Sequence, residues 1–143
     1  MAEFNEKAMH DFNQKLITEF RANGGKVLSG PFVNAPLLLL TTTGAKSGRS
    51  FTTPLVYTKD GDRIVIIASK GGFPKHPAWY HNLAAHPTTT IEIGKEKFQA
   101  KAIITKDPER QRLFDAQAAM MPTFKDYAKA TTRQIPVIAL ERM

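Results

Sequence analysis

Residues 36–57 read PLLLLTTTGAKSGRSFTTPLVY, two strand-like segments separated by a small, basic, hydroxyl-rich loop. The first segment, residues 37–43, starts as an unbroken apolar run, which is typical of a strand buried on both faces. The second, residues 51–58, contains Pro54, and proline occurs in strands at edges or bulges because it lacks a backbone N–H. The stretch therefore predicts a core strand followed by an edge or bulged strand.

The remaining strand signals are mostly hairpins. Asp60-Gly61 and Gly94 each stand between two β-rich runs, where a tight turn is expected. The first and last strands have no adjacent hairpin signal, so the first is predicted to stand alone. A small, mostly antiparallel barrel of about six strands is the fold that such an order favours. The predicted strands are residues 37–43, 51–58, 63–69, 89–93, 97–105 and 135–141.

Helix signals lie at the start of the chain and between the strands. The first helix has apolar residues four positions apart and a left-handed C-cap at Asn23-Gly24-Gly25. The third helix is predicted to begin with Asp107 as its N-cap and Pro108 at its first position. We expect one mixed α+β domain, residues 1–143, with an amphipathic helix (1–25) and a barrel with peripheral helices (26–143). The predicted helices are residues 1–25, 78–85, 108–121 and 123–132.

Composition narrows the function classes. The 143-residue chain has no cysteine, which excludes disulfides, thiolate metal sites and thiol nucleophiles. No apolar run approaches the roughly 20 residues that span a bilayer, and the N-terminus lacks the apolar segment of a signal peptide. The net charge of +7 suits either an anionic partner or simple solubility. Because the sequence predicts neither a membrane span nor a signal peptide, we expect a cytoplasmic protein.

The sequence carries none of the familiar catalytic motifs, neither GxSxG, HExxH, a Walker A loop nor GxGxxG. His76, His81 and His86 are five residues apart, which suits neither one helical face nor a metal loop. Asp60, Asp62 and Asp107 stand at turn or cap positions, so no paired-carboxylate site is indicated. We expect no metal, and if the chain is an enzyme, a bound cofactor supplies the reactive step.

Two glycine-containing basic loops remain as candidates for such a cofactor. Residues 44–50 read GAKSGRS, and residues 69–77 read SKGGFPKHP and lead into a helix N-terminus. Glycines let backbone amides approach an anion, and lysine, arginine and a helix N-terminus favour negative charge. Trp79 and Tyr80 follow, either lining the ligand or packing in the core. Together the loops suit an elongated ligand with a flat ring and an acidic tail.

The segments GAKSGRSFTTPL, ASKGGFPKHPAWYHNLAAHP and DYAKATTRQIPVIAL resemble the deazaflavin-dependent nitroreductase family of actinobacteria, in the same order along the chain. The resemblance implies a split β-barrel related to flavin mononucleotide oxidoreductases. It also implies binding of coenzyme F420, whose deazaflavin ring carries a phosphate and a polyglutamate tail. Hydride would pass from reduced F420 to a quinone such as menaquinone or to a nitroaromatic compound.

The resemblance also implies roles for individual residues. The acidic tail would meet the first loop at Lys46, Ser47, Gly48 and Arg49. The ring would lie against Pro54 and residues Ala68, Ser69, Lys70, Gly71 and Gly72, with backbone amides at its polar edge, and Ala78 and Trp79 would close over it. The acceptor would meet Val56, Met121, Phe124 and Tyr127, with Ser69 and Tyr127 as the catalytic hydroxyls.

This chain departs from the family where Ala45 and Phe51 replace basic residues, and where Val56, Met121 and Phe124 replace tyrosines. Cofactor binding therefore carries over better than nitroimidazole reduction. A flavin mononucleotide enzyme of the same fold and a non-catalytic F420-binding protein remain alternatives. Nucleic acid is not an expected partner, because no strand alternates aromatic and basic residues. We expect a monomer, with contact between the N-terminal helix and the membrane as a hypothesis for quinone access.

Overall fold

The chain forms seven strands and four helices in the part that the structure describes. That structure is a computed structural model and describes residues 6–28, 30, 33, 35–69 and 76–143. In chain order the elements are α1 (Glu6–Ala22), β1 (Leu37–Thr43), β2 (Ser50–Val56), β3 (Thr58–Asp60), β4 (Arg63–Ile67), α2 (Ala78–Ala85), β5 (Thr88–Ile93), β6 (Glu96–Ile104), α3 (Glu109–Met120), α4 (Thr123–Lys129) and β7 (Val137–Arg142).

All seven strands belong to one sheet with the order β2-β1-β5-β6-β7-β4-β3, and every neighbouring pair is antiparallel. The two outer strands, β2 and β3, are separated along the chain by Tyr57 alone. The sheet must therefore curl until its two ends meet, which gives a half-barrel. This confirms the predicted α+β barrel class, with seven strands because the predicted strand 51–58 divides at Tyr57.

Strand β1 does not stand alone, and that prediction was wrong. It pairs with β2 over its whole length, from Leu37 opposite Val56 to Thr43 opposite Ser50, and with β5 on its other side. The basic loop is thus a hairpin loop. Pro54 of β2 lies opposite Leu39 of β1. Strand β2 is an end strand of the sheet, which is where a proline, lacking its backbone N–H, is expected.

Strand β1 is buried on both faces, as its composition predicts. Leu38 and Leu40 belong to a cluster that the other strands and α2 complete, here called the interior cluster. Leu37 and Leu39 face the opposite way and pack with Leu16, Ile17 and Phe20 of α1, here called the α1 cluster. A third group, the α3/α4 cluster, covers the outer faces of β4 and β7. Full burial of each leucine contributes about 2–3 kcal/mol.

Helix α1 ends at the predicted glycines. Gly24 and Gly25 have φ of 63° and 90°, and the N–H of Gly25 donates to the carbonyl of Phe20 at 2.8 Å. A Cβ on Gly25 would overlap the backbone of Gly94 in the β5–β6 turn, so only glycine fits there. Phe4, part of the predicted helical pattern, lies outside the described residues.

Asp107 does not cap α3, which corrects that prediction. Its carboxylate accepts from Nε of Arg110 and from Nε2 of Gln134, both at 2.9 Å. The N-cap position is Pro108, which makes no side-chain cap bond because proline has no side-chain acceptor. Helix α4 ends at Lys129, earlier than predicted, and β7 begins at Val137, later than predicted.

Candidate functional site

The basic loop between β1 and β2 is held by its own backbone. The N–H of Gly44 donates to the carbonyl of Arg49 at 2.7 Å, and the N–H of Gly48 donates to the carbonyl of Gly44 at 3.1 Å. A Cβ on Gly44 would lie 2.5 Å from Oγ of Ser47, and Gly48 has φ of 71°. The positive φ of Gly48 favours glycine, whereas a side chain at Gly44 would have to displace those of Ser47 and Phe51. The two backbone bonds close the loop and leave the side chains of Lys46 and Arg49 exposed.

Asn82 ties this loop to α2. Its Oδ1 accepts from the N–H of Ala45, and its Nδ2 donates to Oγ1 of Thr42, both at 3.0 Å. Asn82 is buried although it is polar. Sequence reasoning gave it no role, although an asparagine between the apolar Trp79 and Leu83 on one helical face is a detectable signal, since buried amides require partners.

Trp79 is the core residue of the aromatic pair that follows the second loop. It is 6% exposed and packs with Leu83 and Ala68 in the interior cluster. Tyr80 is only partly buried, with its ring 4.7 Å from that of His76. Trp79 thus offers little surface to a ligand, whereas Ala78, also predicted to cover the cofactor, is exposed.

The catalytic candidate Ser69 follows β4, two residues after the last strand residue, Ile67. Ala68 and Ser69 are buried, and the N–H of Ala68 donates to the carbonyl of Pro136 at 2.9 Å. The N–H of Ala68 therefore already has a backbone partner, and the expectation that amides of residues 68–72 line the polar edge of the ring stays a prediction. The candidates Lys70, Gly71 and Gly72 lie outside the described residues.

Arg133, in the connection between α4 and β7, binds both sides of the second loop. Its Nη1 donates to the carbonyl of Ala68 at 3.1 Å, and its Nη2 donates to the carbonyl of Ser69 at 2.6 Å. Nη1 also lies 2.9 Å from Nδ1 of His76. Arginine only donates, so Nδ1 accepts and the neutral imidazole carries its proton on Nε2.

The electrostatics of this contact favour a neutral His76. Burial, then the charge of Arg133, then that of His81, lowers the pKa of His76 below its usual value. Burial also lowers the pKa of Arg133, although a guanidinium keeps its charge at neutral pH. Sequence reasoning missed this arginine, because nothing in the local pattern TTRQIP distinguishes it from a solvent-exposed one.

The four residues predicted to meet the acceptor lie together. Phe124 belongs to the α3/α4 cluster, and Val56, Met121 and Tyr127 pack against it. The rings of Phe124 and Tyr127 are 5.5 Å apart at 82°, an edge-to-face contact. Ile67 is in the same cluster, two residues before Ser69. Tyr57, next to Val56, packs instead against the interior cluster.

One buried polar atom near this cluster lacks a partner. The side chain of Gln117, one turn before Met121 on α3, is fully buried, and its Oε1 accepts from the hydroxyl of Thr58 at 3.1 Å. Its Nε2 has no hydrogen-bond partner among the described residues. A single bound water would satisfy it.

A hydroxyl-lined groove of about 430 Å³ lies beside the base of the basic loop. Its described lining contains no lysine or arginine, so it does not favour an acidic ligand. Within the described ranges no three His, Asp or Glu side chains group closely enough to hold a metal ion. None of the helices in those ranges combines the length and hydropathy needed to cross a bilayer. The groove is lined by Thr41, Thr42, Thr43, Ser50, Ala85, His86, Pro87, Thr88, Thr89, Thr90 and Gln99.

The basic loop carries two exposed cations, Lys46 and Arg49. In the described part of the chain neither Lys46 nor Arg49 forms a salt bridge, so both charges remain available to a ligand. Nothing lies within 4 Å of the place where a Cβ on Gly48 would stand, so the backbone there is open to close approach.

Comparison with known proteins identifies the family of this chain. The model of the F420H(2)-dependent quinone reductase family matches residues 14–142. The F420H(2)-dependent quinone reductase of Mycobacterium tuberculosis is 44% identical over 110 residues, which cover 75% of this chain and 74% of that protein.

Two solved structures are similar over most of the fold. An F420-H2 dependent reductase superimposes with a TM-score of 0.68 at 36% identity and covers 74% of this chain and 94% of its own. A chain described as a domain-swapped dimer superimposes with a TM-score of 0.70 at 30% identity and covers 96% of this chain and 100% of its own. The deazaflavin resemblance that the two loops indicated is confirmed, and this chain belongs to the F420H(2)-dependent quinone reductase family.

Proposed function

We propose that this protein transfers hydride from reduced F420 to a quinone. The observation that carries the proposal is the course of β2, which runs from the basic loop at Ser50 to the acceptor cluster at Val56. Seven residues of strand span about 20 Å, a length that suits an elongated cofactor. Pro54 and Val56 share one face of β2, because side chains two residues apart in a strand point the same way.

Each part of this chain then has a defined task. Lys46 and Arg49 bind the acidic tail, and Pro54 packs against the ring. When bound, reduced F420 supplies the hydride. The side chains of Val56, Met121 and Phe124 exclude water from the acceptor, which strengthens the hydrogen bonds made there. The hydroxyls of Ser69 and Tyr127 donate to the acceptor oxygen as negative charge develops on it.

A quinone suits the acceptor cluster better than a nitroimidazole does. Val56 and Met121 give the cluster a partly exposed apolar surface, Phe124 behind it is only 7% exposed, and Tyr127 supplies the one phenolic hydroxyl among the four residues. We propose that nitroaromatic compounds are adventitious acceptors, reduced more slowly than quinones at equal concentration.

The protein is further proposed to act as a monomer at the cytoplasmic face of the membrane. Met9 and Phe12 on α1 are 45% and 38% exposed, and Lys7 and Lys15 on the same helix are exposed as well. Such a face suits shallow contact with anionic lipid. Co-sedimentation with anionic vesicles should be weakened by Met9→Ser, and light scattering in solution should give the mass of one chain.

The decisive experiment mixes purified protein with reduced F420 and menadione and follows oxidation of the cofactor by fluorescence. Turnover supports the proposal. Tight F420 binding without turnover supports a non-catalytic binding protein instead. A protein that is purified yellow, with bound flavin mononucleotide, and does not bind F420 would contradict the proposal.

A further inference from the structure

The side chain of Arg133 contacts the described residues on either side of residues 70–75. Ser69 is the last described residue before this stretch and His76 the first after it, and the guanidinium binds both of them. A single side chain from the α4–β7 connection thus joins the end of β4 to the start of α2. We infer that Arg133 is a positioning residue, which holds Ser69, after β4, and His76, before α2, at a fixed separation.

The same region of β4 is fixed a second time by the backbone. The N–H of Ala68 donates to the carbonyl of Pro136, while Arg133 donates to the carbonyls of Ala68 and Ser69. Residues 68 and 69 are therefore attached to the 133–136 segment both by a backbone N–H that donates and by two carbonyls that accept. Ser69, proposed to donate its hydroxyl to the acceptor, has no freedom to move along the sheet while these bonds persist.

Only arginine can satisfy this set of partners. Its planar guanidinium presents five N–H donors in a rigid fork, and two of its nitrogens serve three acceptors among the described residues. A lysine places three donors on one atom and cannot reach acceptors on both sides of the loop with the same geometry. The geometry also requires His76 to accept, so its protonation would place two positive charges 2.9 Å apart.

This inference rests on the proposal that residues 69–72 line the ring, but the positioning itself does not depend on F420. If Arg133 only stabilised the fold, its loss would lower the unfolding midpoint without altering the loop more than the rest of the chain. Arg110 is the matched control. Its Nη1 donates to the carbonyl of Ile135 at 2.9 Å, in the same connection, but it contacts neither end of the loop.

The test compares Arg133→Met, Arg133→Lys and Arg110→Met with the wild type. F420 affinity is measured by fluorescence titration, the midpoint by thermal unfolding, and loop exposure by tryptic cleavage after Lys70 and Lys75, with cleavage after Lys95 in the β5–β6 turn as reference. We expect Arg133→Met to raise the F420 dissociation constant roughly 10-fold or more, since it loses charged hydrogen bonds. Cleavage after Lys70 and Lys75 should accelerate relative to cleavage after Lys95.

Arg133→Lys should recover part of the affinity, and millimolar guanidinium should recover more of it for Arg133→Met than an equal concentration of sodium chloride. Arg110→Met should lower the midpoint and leave the affinity and the cleavage ratio unchanged. Equal cleavage ratios in folded Arg133→Met and wild type would overturn the inference, as would equal effects of the two methionine variants on F420 affinity. If the wild type does not bind F420, the proposed function fails, and the cleavage ratios still decide the role of Arg133.

Discussion

Replacing Asn82 with leucine removes the link between α2 and the basic loop while it keeps the side-chain volume. Two hydrogen bonds are lost, one to the N–H of Ala45 and one to Oγ1 of Thr42. Thr42 is only 2% exposed, so its hydroxyl loses a partner away from water. One lost bond costs about 1 kcal/mol and an unpaired buried group about 1–2 kcal/mol more. We expect the free energy of unfolding to fall by about 2–3 kcal/mol and the midpoint by roughly 6–12 °C.

Thr42→Val is the matched variant, because it loses the bond to Asn82 while the bond between Asn82 and Ala45 remains. Urea unfolding followed by circular dichroism gives the stability of each variant, and F420 fluorescence titration gives the affinity. Both variants should be less stable than the wild type. Only Asn82→Leu should bind F420 more weakly, by about 5-fold, since it alone releases the loop. Wild-type stability and affinity in Asn82→Leu would refute the anchoring role.

Two further predictions concern buried polar groups. Gln117→Met leaves the hydroxyl of Thr58 without its partner, so the double variant Gln117→Met/Thr58→Val should have a higher urea midpoint than Gln117→Met alone. A lower midpoint in the double variant would show that the hydroxyl finds another partner. Burial, then Arg133 and His81, lowers the pKa of His76, so the unfolded chain takes up the proton first as the pH falls. The thermal midpoint of the wild type should therefore fall as the pH is lowered below about 6.5, and that of His76→Gln should fall by less. Identical pH profiles of the two proteins would contradict this.

Local signals were enough to predict much of the fold. The β3–β4 and β5–β6 hairpins turn at Gly61 and Gly94, which have φ of 60° and 58°, because a tight turn needs residues that tolerate that conformation. Burial of β1 on both faces followed from its four leucines. The pairing of β1 with β5 and of β4 with β7 could not be predicted, since it joins segments far apart in sequence.

The site was predictable where chemistry depends on residue type alone. Glycines and cations identified the basic loop, and the acceptor residues implied by the resemblance do gather in one cluster. Asn82 and Arg133 were missed because their importance lies in partners 37 and 57 or more residues away along the chain. Asp107 was misassigned for the same reason, since Gln134 holds one of its oxygens. Which ring of the Trp79–Tyr80 pair is buried depends on how α2 faces β1.

The central claim is that tail binding and acceptor binding occupy opposite ends of β2. Its most direct test measures the F420 dissociation constant and the menadione KM in Lys46→Ala and Tyr127→Phe, with Lys59→Ala on β3 as the charge control. Lys46→Ala should weaken F420 binding about 5-fold or more and leave the menadione KM unchanged. Tyr127→Phe should lower kcat/KM for menadione without changing F420 affinity. If Lys46→Ala matches Lys59→Ala in F420 affinity, or if Tyr127→Phe weakens F420 binding as much as Lys46→Ala does, the two-ended site is contradicted.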